Sequence, residues 1–131
     1  MTIKLKSLRN NVEAERQGDW VPAPSLPGVR FKVKSMESPE YKDAMNLRSR
    51  DLQAQFRGSI IPSEVMELET GKVIAKIILI GWDGMDETYT PDLAEEIMTD
   101  PGYRQIHDAI SYCATIVGRA KMEFIQDGIK N

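Results

Sequence analysis

The sequence has one cysteine, Cys113, and one histidine, His107. A single cysteine excludes an intrachain disulfide and suits a reducing compartment. One Cys and one His cannot supply the four nitrogen and sulfur ligands of a structural zinc site. Long hydrophobic runs are also missing. The longest, Val73 to Trp82, is ten residues broken by Lys76, against the ~20 needed to cross a bilayer, so no membrane span is expected. The first residues are polar and basic, with no apolar stretch behind them; no secretory signal is expected, and the cytosol is the natural setting.

Reactive constellations are lacking as well. A lone His beside Asp108 is far more often a structural or surface residue than a catalyst. Cys113 falls on an apolar seam, where a thiol behaves as a small hydrophobe. Gly71-Lys72 resembles the end of a phosphate-binding loop, but the earlier glycine is missing and Val73 stands where Ser or Thr belongs. Asp83, Asp86 and Glu87 do not follow the twelve-residue calcium pattern, and a solvated acidic turn accounts for them better. Asp92, Glu95 and Glu96 lie near a helix start, where the helix dipole alone favours carboxylates. The expectation is a protein that is not an enzyme and needs no cofactor or metal.

At 131 residues the chain suits one domain with a real core. Its net charge of -3 conceals an uneven distribution. Residues 1–58 carry 11 Lys and Arg against 7 Asp and Glu, a balance of +4, whereas residues 59–131 carry 6 against 13, a balance of -7. Solvated helix faces are the simplest account. Head-to-tail association of copies, basic side to acidic side, is a further possibility. The basic residues are scattered and no helix-turn-helix with a basic recognition helix is visible, so nucleic-acid binding is not the expected role.

Residues 1–17 read as a mobile arm that orders on a partner. In the next stretch, Pro22, Pro24 and Pro27 exclude a helix, and Val29, Phe31 and Val33 alternate with Arg30, Lys32 and Lys34, the pattern of a strand with one apolar face. A short β-hairpin over about 18–34 is expected, with Trp20-Val21 as its first strand. Ser38-Pro39 and Thr90-Pro91 each offer a capping oxygen followed by a proline that needs no N–H, the signature of a helix start. They open helices over about 39–57 and 91–98. From Tyr103, apolar residues at Ile106, Ile110, Cys113, Val117, Ala120 and Phe124 are spaced by threes and fours. That seam predicts a long helix over about 101–127, fraying at Gly128, as the core helix of a bundle. Ile77 to Ile80 cover every helical face, and β-branched residues suit a strand equally. A helix over about 63–81 is the reading carried forward. The expected fold is mainly α: a small helical bundle with a short N-terminal β-hairpin, residues 18–131 forming a single domain.

Three stretches together resemble the tail assembly chaperones of long-tailed bacteriophages. The first is Gly18-Asp19-Trp20-Val21, then Val29 to Lys34, then Ser38-Pro39-Glu40-Tyr41. It is similar to a family opening in which a short Trp-containing strand, a basic strand and a proline-started helix follow one another. The second is Ile80 to Met85, like an apolar helix that ends on Trp-x-Gly and an apolar residue. The third is Tyr89 to Ala94 with Thr99-Asp100-Pro101, like the start of a closing helix pair. The loop after Trp82 is shorter than the family's usual one.

The resemblance implies a non-enzymatic protein of the host cytoplasm that binds the tape measure protein and leaves the finished virion. It also implies that a frameshift-extended form recruits the tail tube protein. The partner-binding residues expected on this basis are Trp82, Met85, Ile106, Ile110 and Val117, Trp82 being at least partly core as well, and a homo-oligomer is a further expectation. A neck or connector subunit retained in the particle, or a small DNA-binding regulator, are the alternative classes.

Overall fold

The computed structural model describes residues 1–126. The described residues are mainly helical and form two small antiparallel sheets. The larger sheet begins at β2 (Asp19–Pro22), which pairs with β3 (Arg30–Val33); β3 pairs in turn with β4 (Leu79–Asp83). The stretch 18–34 is therefore not a separate two-stranded unit but two-thirds of a three-stranded sheet. β1 (Thr2–Ile3) pairs with β5 (Phe124–Ile125) to form the second sheet.

The described residues form five α-helices. α1 (Val12–Gln17) is short and exposed, and α2 (Pro39–Phe56) is long and buries only Leu52 completely. α3 (Ser63–Val73), α4 (Pro91–Thr99) and α5 (Arg104–Ile116) carry the rest. The caps act as their chemistry dictates: Ser38 Oγ accepts from Tyr41 N at 3.4 Å, and Thr90 Oγ1 accepts from Leu93 N at 3.1 Å. The core lies between the inner face of the sheet (Val21, Phe31, Val33, Leu79, Trp82) and Ile110, Cys113 and Ala114 of α5, with Ala94 and Ile97 of α4 closing it. The helices are thus layered on a sheet rather than only on one another.

The largest correction concerns residues 63–81, expected as one helix. α3 ends at Val73, widens into a single π turn at Ile74–Ile78, and becomes strand β4 at Leu79. Along β4, Ile80 is an extra residue in the ladder, since Lys32 faces Gly81 while Val33 faces Leu79. This bulge lets Leu79 and Trp82, three apart, both point inward, which strict alternation forbids. A π turn followed by a bulged strand erases both periodicities, and for that reason the sequence pattern over 73–82 selects neither state.

The second correction concerns the helix expected over 101–127. Pro101–Tyr103 is a single 3-10 turn, and α5 stops at Ile116, where Val117 turns extended and Gly118 adopts a φ of +72°. A Cβ on Gly118 would lie 2.6 Å from the Asn11 carbonyl oxygen and 2.8 Å from Glu15 Cγ. The chain turns there because α1 blocks it, and Asn11 N donates to the Gly118 carbonyl at 2.7 Å. Ala120 and Phe124 leave the seam. The end assigned to Gly128 lies outside the described residues.

Residues 1–17, read as a mobile arm, pack along that returning segment. Lys4 N donates to the Glu123 carbonyl at 2.8 Å, Glu123 N to Ser7 Oγ at 2.9 Å, and Ala120 N to Asn10 Oδ1 at 2.9 Å. The arm is ordered against its own chain, not only against a partner.

On the outer face of the larger sheet, Arg30 is hydrogen-bonded to Asp83 and lies 4.8 Å from the Trp20 ring centroid. The guanidinium hydrogen bond holds the Asp83 carboxyl below its ordinary range. These groups are solvent-exposed, and such a pair adds little to stability.

Candidate protein interface

Three of the five expected partner-binding residues are core. Ile110 is fully enclosed, Val117 is buried, and Trp82 is 7% exposed. Trp82 donates from Nε1 to the Glu87 carbonyl at 2.7 Å, and the Tyr89 ring meets it edge-on with centroids 5.1 Å apart. An indole that is hydrogen-bonded at one end and packed by an aromatic ring at the other holds the 84–90 loop to the sheet. Met85 and Ile106 are half-buried against the same core. The Ile106 seam faces the sheet because the inner strands present a flat apolar surface, and a seam on α5 fits that surface as well as it fits a partner helix.

Cys113 is also core. Its Sγ lies 3.7 Å from the Val21 carbonyl oxygen and 3.9 Å from that of Pro22. Burial pushes the thiol up from 9.0 to about 11. Below 9 both the folded and unfolded thiols keep their proton. Above it the unfolded thiol ionises first, so stability falls as pH rises from about 9 through about 11. The native thiol is expected to react with iodoacetamide on the order of 100-fold more slowly than the unfolded chain at pH 8. Equal rates measured by mass spectrometry would contradict the buried placement.

What the structure does offer is a groove of about 860 Å³ where α3, α4 and α5 meet. Helices α3 and α4 cross at Gly71, where a Cβ would overlap the Met98 carbonyl oxygen. This close approach brings the two helices together and leaves a cleft on the side toward α5. His107 spans the back of the cleft, its Nε2 2.7 Å from the Ile97 carbonyl oxygen. That contact ties α5 to the last turn of α4 and gives the single histidine a structural partner.

Met66, Leu68, Ile74 and Met98 supply the apolar lining. The charged lining is Glu64, Glu67 and Asp108, opposed by Arg104 alone. None of these four has an ion-pair partner among the described residues. Sequence reading missed this groove. Its trace was the i, i+3 pair Glu64 and Glu67 on one helix face, but Asp108 joins them only through the fold.

No three His, Cys, Asp or Glu side chains converge to hold a metal among the described residues, and no described helix is long and apolar enough to cross a membrane. An apolar floor under an acidic rim suits an amphipathic segment of protein.

A family model described as the YdaY prophage protein matches residues 36–131. The chain belongs to that family. It is therefore phage-derived. The matched span begins directly after β3 and takes in β4, all of the helices that form the groove, and the returning C-terminal segment. No curated protein and no solved structure matches the chain.

Proposed function

We propose that this prophage-family protein is a non-enzymatic tail assembly chaperone. It binds the tape measure protein and keeps that long apolar helical chain soluble while tail tube subunits are recruited, the tube contact being made through a frameshift-extended form. It acts in the host cytoplasm and leaves the finished particle. Membership of a prophage family carries the reading, in combination with the ordered likeness of the Trp20, Trp82 and Thr90-Pro91 stretches to tail assembly chaperones. The groove between α3, α4 and α5, with its apolar lining of Met66, Leu68, Ile74 and Met98, supports the same view. Half-buried Met85 and Ile106 remain available to the tape, and exposed Leu47 and Ile60 add apolar surface away from the groove. Many weak contacts repeated along one long chain would sum to tight binding.

Co-expression with the tape measure protein from the same prophage tests this. The tape is expected to be insoluble alone and to co-purify with several copies of this chain. A tape that ignores the protein, together with recovery of the protein in purified particles by mass spectrometry, would replace chaperoning with a connector role.

A further inference from the structure

The fold joins two stretches, 1–9 and 118–126, whose charge is opposite to that of the rest of the chain. The first carries Lys4, Lys6 and Arg9, and the second carries Arg119 and Lys121 against Glu123. Together they hold five Lys and Arg against one Glu, a balance of +4. The whole chain stands at -3, so all the other residues sum to -7. Glu123 is taken up by Lys4 at 3.5 Å, whereas Lys6, Arg9, Arg119 and Lys121 have no ion-pair partner among the described residues. Behind them α1 adds Glu13 and Glu15 against Arg16, which reduces the cationic excess without cancelling it.

Hydrogen bonds set the order of these groups from the base of the β1–β5 ribbon to its far end. At the base, Asn11 N donates to the Gly118 carbonyl and Ala120 N to Asn10 Oδ1. Further out, Glu123 N donates to Ser7 Oγ and Lys4 N to the Glu123 carbonyl. At the far end Ile3 faces Phe124 and Thr2 faces Ile125. The apolar pairs therefore lie outermost, and the unpaired cations lie on the stretches between them and the base.

Both faces of the ribbon are open. Opposed residues of an antiparallel pair share a face and successive pairs alternate, so Ile3 and Phe124 lie on one side and Ile125 on the other. Phe124 is 51% and Ile125 50% exposed, and Leu5, in the turn after β1, is 81% exposed. A rigid flat partner covers one face of a ribbon, whereas a fluid one covers both. Neither the α3/α4/α5 groove nor the smaller cleft at Pro24 and Tyr112 is lined by a ribbon residue, so neither can seat a helix here. Nucleic acid fits less well, because Phe124 is the single ring in these stretches and Leu5, Leu8, Met122 and Ile125 give a base nothing to stack on.

We infer that this ribbon docks the protein on an anionic phospholipid surface. Its apolar end enters the headgroup boundary, and Lys6, Arg9, Arg119 and Lys121 meet the lipid phosphates behind it. The acidic remainder of the molecule faces away, because the field that attracts the ribbon repels it. The attachment is peripheral and reversible, and it needs no tape measure protein. Each cation held near an anionic leaflet contributes on the order of fivefold in affinity.

Co-sedimentation of the full chain with vesicles tests this. Vesicles of mixed phosphatidylglycerol and phosphatidylcholine are compared with vesicles of phosphatidylcholine alone. The protein is expected to bind the anionic vesicles at least about tenfold more tightly, and the binding is expected to fall as salt rises. Lys6→Ser with Lys121→Ser is expected to weaken binding roughly 25-fold. Phe124→Ser with Ile125→Ser is expected to weaken it as well, and circular dichroism checks that both variants remain folded. Arg50→Ser, which removes an exposed cation of α2 that is also unpaired among the described residues, is expected to bind like the wild type. A wild type that ignores anionic vesicles, or binds both kinds equally, overturns the proposal. So does either folded ribbon variant that binds like the wild type, or an Arg50→Ser chain that loses as much as the lysine variant. Tighter binding to single-stranded DNA than to the anionic vesicles, in a gel shift at the same salt, overturns it in favour of nucleic acid.

Discussion

Ile110→Ala is expected to lower the free energy of unfolding by about 4 kcal/mol, within the roughly 2–5 kcal/mol range for emptying a fully enclosed aliphatic site. For a chain of this size that is a fall in Tm of roughly 10–20 °C. The side chain is completely buried between α5 and the inner face of the sheet, in a cluster that includes Phe31, Val33 and Leu79. Backbone hydrogen bonds of the sheet restrain those neighbours, so the cavity collapses only in part. Ile60→Ala is the natural control, because that residue is 92% exposed and its truncation is expected to change stability by less than about 0.5 kcal/mol. Thermal unfolding of both variants decides the matter. An unchanged Tm for Ile110→Ala, with loss of partner binding instead, would return Ile110 to the partner-binding role that the family resemblance implied.

Gly71→Ala is expected to cost about 3 kcal/mol, at the upper end of the roughly 1–3 kcal/mol that overpacking usually costs. Here local and tertiary physics predict opposite signs. Gly71 lies inside α3 with an ordinary helical backbone, and helix propensity favours Ala over Gly by about 1 kcal/mol. Across the interface, however, the new Cβ would overlap the Met98 carbonyl oxygen and approach its carbon to 3.0 Å. A backbone carbonyl of α4 cannot swing aside as a flexible side chain can, so the two helices must separate. Denaturant unfolding measures the outcome, and a rise in stability would show that α3 and α4 are not in contact at this point. The same variant also reshapes the groove, since both Gly71 and Met98 line it.

The seam and the caps show what a linear reading can reach. Ser38-Pro39 and Thr90-Pro91 start helices because capping closes hydrogen bonds over three residues, a range that short sequence contains in full. The spacing of Ile106, Ile110, Cys113 and Val117 marked an apolar face, and all but Ile106 are buried. What the spacing could not say was which surface the face would meet. The structure answers with a sheet, against which Ile110, Cys113 and Val117 are buried.

Composition and local pattern by themselves determined that the chain is mainly helical, where two of its helices begin, and that Val29, Phe31 and Val33 share one face. Each of these follows from interactions among residues a few positions apart. Only the tertiary structure decided that α3 gives way to a strand at Leu79, that α5 ends at Ile116 with a turn at Gly118, and that residues 1–17 pair with the C-terminal segment. Leu79 is extended because β3 offers it a ladder; Gly118 turns because Asn11 and Glu15 occupy the space ahead. The groove belongs to the same class, since Glu64 and Asp108 become neighbours only when α3 and α5 close on α4. Contacts between residues distant in sequence leave no period in the chain, because they depend on where other elements have already been placed.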